Sequence, residues 1–346
     1  MHSKSFALAA ALLAMPVLSI GPVFAQQGQG AGGNQPAEAG AADSGGTVKV
    51  TPLGSHEGEF CRNDRAMVFE DPDGTRILYD AGRTVRGPDD PRLEEIDAVL
   101  LSHVHGDHLG DAHASDADAG TCAEPDTSVS VTPESNTVKI IVAKNARFLV
   151  GGEMASFFGA KVAAAGGDRS LVQVTRYGAR RTVGGVTIAT VPAVHSNGLG
   201  PEFLEGDIGT ALKDAGLTAY MGPEEGYVLT FSNGLVVYLS GDTGITAEQE
   251  TVVRDHYGAQ LAIINIGDVF TTGPTEAAFV IDELVKPRSV IPSHANEEAT
   301  SGGEVRSGTR TEEFISAVNV PVHLPLSGRS IEFDGDGNCV EGCDDL

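Results

Sequence analysis

From about residue 47 onward, short runs of β-branched and apolar residues alternate with stretches of helical spacing. Residues 47–53, 66–69 and 76–79 read as strands, because β-branched and aromatic side chains fit a pleated, half-buried surface. Asp71-Pro72-Asp73-Gly74 carries the turn chemistry of a hairpin between the last two. The apolar runs 96–101 and 138–142 predict buried strands, and 186–194, 261–266 and 289–291 add three more. Residues 227–239 form a second hairpin that turns at Asn233-Gly234. Helical spacing covers 144–158, 246–257, 275–285 and 311–318, with Pro274 suited to the first turn of its helix. Hairpins early in each half, followed by strand–helix units, predict a mixed α/β domain with helices outside packed sheets.

The two ends do not share this pattern. Lys4 precedes an apolar run at 7–20, and Val23-Phe24-Ala25 places small residues at the cleavage-determining positions. This is the layout of a signal peptide over 1–25, so a periplasmic or secreted protein beginning at Gln26 is expected, with no stable membrane association after cleavage. Residues 26–46 are rich in Gly, Ala and Gln and hold no large apolar side chain, which predicts a disordered leader. The folded domain is expected over 47–333, followed by an acidic tail at 334–346. Export permits disulfides, and Cys61, Cys122, Cys339 and Cys343 allow three full pairings.

Charge narrows the function classes. The 346 residues include 23 Lys and Arg against 48 Asp and Glu, a net charge of −25. Such a surface repels phosphate backbones, so a small-molecule substrate is expected rather than a nucleic acid.

One segment concentrates chemistry: Ser102-His103-Val104-His105-Gly106-Asp107-His108, directly after the apolar run 96–101. His103 and His105 alternate at a strand end and project to one side. Asp107 and His108 follow a turn that Gly106 permits. Imidazole and carboxylate are ligands for a borderline cation such as zinc. Three later apolar runs also finish on a ligand-type residue: His195 after 186–194, Asp242 after 235–240, and His294 after 289–293. Strand ends at one edge of an α/β fold converge on a site.

These residues, with the runs Leu239-Ser240-Gly241-Asp242-Thr243-Gly244 and Val290-Ile291-Pro292-Ser293-His294, resemble the metallo-β-lactamase superfamily. The resemblance is strongest to its broad metal-dependent hydrolases, the ascorbate-6-phosphate lactonase-like branch. It implies an αββα sandwich of two packed mixed sheets with outer helices. It also implies two divalent metal ions, zinc foremost with manganese or iron as alternatives. His103, His105 and His195 would hold one metal, and Asp107, His108 and His294 the other, with Asp242 bridging. A hydroxide shared by the metals would attack a lactone, lactam, ester or amide carbonyl, with Asp107 orienting it or passing a proton. A true β-lactamase, a phosphodiesterase and a non-catalytic metal-binding envelope protein are the alternative readings.

The remaining histidines read as bland: His113 as a solvated loop residue, His256 at a helix end, His323 as packed. His56, in a Gly-rich turn, stays a candidate for the site. Residues 196–226 form an unusually long acidic connection, expected to set specificity and to disfavour strongly anionic substrates.

Overall fold

The computed structural model describes residues 45–343. The expected signal peptide and most of the expected leader lie outside the described residues. Two mixed sheets face each other. The larger has eight strands, in the order Cys339–Glu341, Ile331–Phe333, Val48–Pro52, Met67–Glu70, Arg76–Tyr79, Ala98–Leu100, Arg147–Gly151 and Val172–Thr175. The smaller has six: Ser289–Ser293, Leu261–Asn265, Val236–Leu239, Glu225–Thr230, Val186–Pro192 and Arg180–Val183. In each sheet, antiparallel hairpins adjoin parallel strands. This is the αββα sandwich that the resemblance implied.

Three buried clusters define the layers. Val50, Phe69, Ile77 and Leu100 of the larger sheet meet Ile188, Leu229, Leu239 and Ile263 of the smaller one in the central core. Alternate residues of the same strands, among them Val68, Leu78 and Val99, face the helices Asn136–Lys144 and Gly152–Ala164. The outer face of the smaller sheet packs against Gln249–Tyr257, Pro274–Val285 and Arg310–Ala317. Burial on both faces explains why the parallel strands read as continuous apolar runs. No helix among the described residues is long and apolar enough to cross a membrane.

Two expected elements change type. Residues 138–142 are helix rather than strand: the Ser135 side chain accepts from the Val138 amide as an N-cap, and Asn145 ends the helix in the left-handed region. A five-residue apolar run carries too little periodicity to separate the two states. The helix expected over 144–158 is a strand, Arg147–Gly151, that leads into the helix Gly152–Ala164. The tail also differs from expectation. Residues Cys339–Glu341 pair with Ile331–Phe333 and so extend the larger sheet at its edge.

The cysteines pair as Cys61–Cys122 and Cys339–Cys343. The second bond closes a small loop within the tail instead of clipping it to the body. The first ties the loop between the first two strands to a segment 61 residues away. Closing a loop of that size removes roughly 4 kcal/mol of unfolded-state entropy, against about 2 kcal/mol for the tail loop. Replacing Cys61 and Cys122 together by Ser should therefore lower the unfolding free energy, measured by denaturant titration, by more than the same exchange at Cys339 and Cys343. Equal losses would contradict that ordering.

Candidate metal centre

The site is built from strand ends of both sheets. After Ala98–Leu100 the chain runs through Ser102 and His103, and Gly106–Leu109 then forms a single helical turn carrying Asp107 and His108. Gly110 stops that turn in the left-handed region. From the smaller sheet come His195 beyond Val186–Pro192, Asp242 beyond Val236–Leu239, and His294 directly after Ser289–Ser293. Gly241 has a φ of 62°, and a Cβ there would stand 2.7 Å from Glu224 Oε1. Glycine suits this left-handed backbone and leaves room for Glu224 beside the turn that delivers Asp242.

All seven residues singled out in the sequence come together. Three groups of donors each lie within 4.8 Å: His103, His105 and His195; His103, His108 and Asp242; Asp107, His108 and His294. Asp242 Oδ2 is the common point. It lies 3.1 Å from His294 Nε2, 3.2 Å from His108 Nε2 and 3.9 Å from His103 Nε2. His103 Nε2 also faces His105 Nδ1 at 2.9 Å. Asp107 Oδ2 is 3.4 Å from His294 Nε2.

These contacts suit a cation better than hydrogen bonding. His108 Nε2 and both ring nitrogens of His294 are buried and make no hydrogen bond, although carboxylate oxygens stand close by. A buried polar atom without a partner is costly, and a metal ion satisfies several such atoms at once. The titration behaviour points the same way. Burial, reinforced by neighbouring imidazoles, holds His103, His105 and His195 below the ordinary histidine range, in the neutral ligand form. Burial works against charge on His108 as well, but Asp242, Asp107 and Asp80 outweigh it and hold its pKa well above the usual value. Burial likewise opposes charge on Asp107 and Asp242, yet their basic neighbours keep both ionised: Arg65 and His108 for Asp107, His108 and His294 for Asp242. The crevice thus attracts positive charge while keeping most of its imidazoles free to donate a lone pair. The donor set fits a metal centre.

Three supporting residues escaped the sequence reading. Asp80 accepts from the Ser102 amide and hydroxyl and lies 2.8 Å from His108 Nδ1, which directs His108 Nε2 into the site. It follows the strand Arg76–Tyr79 and repeats the strand-end pattern of the other ligands, so a signal for it was present. Arg65 is buried and places Nη2 2.8 Å from Asp107 Oδ2 and from Asn296 Oδ1. Nothing in its local sequence marks it. Glu224, grouped in sequence with the acids of an exposed connection, is fully buried and accepts from the Asp242 amide at 2.6 Å. Burial, and then the charge of Asp242, push its pKa well up.

The other expectations resolve by position. His56 lies 3.2 Å from Ser55 Oγ and belongs to none of the donor groups. His113 Nδ1 bonds the Ala114 carbonyl, and His323 packs on Phe333. The 196–226 connection folds into two short strands, Gly198–Leu199 and Ala219–Tyr220, around the helix Gly206–Ala215. Its first two residues support the site: Ser196 Oγ lies 3.3 Å from His105 Nε2, and Asn197 accepts from the Val104 amide. Its exposed acids do not line the cavity beside His195 and Asp242; residues 244–245 and 268–276 do.

Comparison with known proteins agrees with this geometry. A sequence profile of the β-lactamase superfamily domain matches residues 75–295. A metal-dependent hydrolase of Roseiflexus castenholzii is 30% identical over 233 residues, covering 65% of this chain and 77% of the relative. One of Pelotomaculum thermopropionicum is 31% identical over 207 residues, covering 59% and 70%. Among solved structures, a metallo hydrolase from Ignicoccus hospitalis superposes with a TM-score of 0.53 at 21% identity, over 84% of this chain and 99% of that one. With the domain match, the relatives and the sandwich in agreement, the chain belongs to the metallo-β-lactamase superfamily, among its metal-dependent hydrolases.

Proposed function

We propose that this protein is an exported hydrolase that holds two divalent metal ions, zinc foremost, and cleaves a small, uncharged or weakly charged carbonyl compound such as a lactone, ester, lactam or amide. The observation that carries the reading is the two donor groups flanking Asp242, which with it make seven side chains, more than one tetrahedral ion uses. His103, His105 and His195 would hold one ion, and Asp107, His108 and His294 the other, with Asp242 between them. Held there, a pair of cations supplies charge that polarises a carbonyl and lowers the pKa of a nearby water. The protein's own contribution is orientation. Asp80 fixes the ring of His108, Glu224 holds the turn of Asp242 by its amide, and Arg65 keeps Asp107 ionised and aimed inward. Asp107, partly exposed and held ionised, is the carboxylate placed to accept a hydrogen bond from an attacking water and so orient it.

Export is supported by the signal-peptide layout of the N-terminus and by the pairing of all four cysteines, which suits an oxidising compartment. The acidic balance disfavours phosphodiesters of nucleic acids.

Four outcomes test the proposal. Purified mature protein should contain about two metal ions per chain, lost together with activity on chelation. In a panel of nitrocefin, a simple lactone, a p-nitrophenyl ester and bis-p-nitrophenyl phosphate, carbonyl turnover should dominate. A single tightly bound iron with redox activity would contradict this. Intact-mass analysis of exported material should place the first residue at Gln26, whereas a membrane-retained chain still beginning at Met1 would overturn export. Asp242→Ala should lower turnover at least ~100-fold and reduce bound metal while leaving the melting temperature nearly unchanged. Full activity with metal retained would remove Asp242 from its bridging place.

A further inference from the structure

Four of the eleven large apolar side chains that stand exposed among the described residues lie around one cavity, and that cavity opens onto the candidate metal centre. Val269 and Phe270 are 80% and 71% exposed, and Val194 and Ile245 are 63% and 47% exposed. The space they surround measures about 390 Å³ and reaches His195 and Asp242. Exposed apolar side chains scattered singly are ordinary, but a cluster at the mouth of a polar crevice marks a binding surface.

The segment that carries the rim is held in place. Thr272 Oγ1 donates to the Thr243 carbonyl at 2.6 Å, and Asn265 Nδ2 donates to both Thr272 Oγ1 and the Thr243 carbonyl. The base of the 268–273 segment is thereby joined to the turn that follows Asp242. Asp268 and Val269 both have positive φ, 42° and 58°. For a β-branched residue that backbone is strained, and it raises two apolar side chains where neither packs in the core. The charge at the rim has one sign. Asp268 and Glu276 line the cavity, and no Lys or Arg does.

We infer that Val194, Ile245, Val269 and Phe270 form a subsite for an apolar acyl or aromatic substituent of the substrate, attached to an uncharged or cationic carbonyl compound. The inference rests on the hydrolase reading above for the position of the carbonyl at the metal end of the cavity. The apolar substituent lies against Val269 and Phe270, and Asp268 and Glu276 repel a terminal carboxylate. Specificity then resides in the 268–276 segment, not in the acidic connection 196–226.

The test uses the metal-loaded mature chain and two independent readouts. Calorimetric binding of octanamide should be at least ~10-fold tighter than that of acetamide, and a Val269→Ser, Phe270→Ser double variant should lose most of that preference. In turnover, p-nitrophenyl octanoate should exceed p-nitrophenyl acetate in kcat/KM by a similar factor. Mono-p-nitrophenyl suberate, equal in length but carrying a terminal carboxylate, should fall about 5-fold below the octanoate, with Glu276→Gln narrowing that gap. Equal binding of the two amides, or a preference unchanged in the double variant, overturns the subsite. So does a double variant that loses only self-association, since the rim would then be an interface between copies. An intact amide preference without turnover of any ester supports the subsite and overturns the carbonyl chemistry. Ester turnover indifferent to chain length and to the double variant does the reverse.

Discussion

The site depends on gathering buried imidazoles and carboxylates around one oxygen, Asp242 Oδ2, at the edge of a dry sandwich. Such a cluster opposes folding on its own, because desolvated charges and unpartnered ring nitrogens cost free energy. Here the opposition is offset by construction. Strands from both sheets end at the same edge: His103, His195, Asp242 and His294 sit one to three residues past packed strands, and His105, Asp107 and His108 follow in the turn after His103. The core sets the positions of the strand ends, and the strand ends set the donors.

Around the donors, a ring of less visible groups limits their freedom. Asp80 orients His108, Glu224 holds the Asp242 turn, and Arg65 neutralises Asp107 from a loop bridged by the Cys61–Cys122 disulfide. Val194 donates its amide to Thr243 Oγ1, linking the His195 turn to the Asp242 turn. Removing one such support would shift a donor without unfolding the sheets, a division of labour typical of metal sites.

The surroundings of the centre are chemically one-sided. Its mouth is apolar and acidic, and the whole chain is strongly acidic. An acidic shell draws neutral and cationic molecules more readily than polyanions. The sandwich itself is shared by many chemistries, so what enters the site is decided by its lining and not by the fold.

The sequence by itself marked the candidate ligands and the class of fold. His103, His195, Asp242 and His294 were legible because each follows an apolar run, and His105, Asp107 and His108 because they crowd behind His103 in one short motif. The hairpins at Asp71–Gly74 and Asn233-Gly234 were legible because their turns need those residues. The strand–helix exchange at 138–158 was not, since a short apolar run satisfies a buried helix as well as a strand until a cap is seen. Only the tertiary structure chose among the three disulfide pairings, brought Arg65 to Asp107, buried Glu224 and placed residues 268–273 beside His195 and Asp242. Those contacts join residues distant in the chain, and their partners are set by how two sheets pack, which no local pattern of side chains encodes.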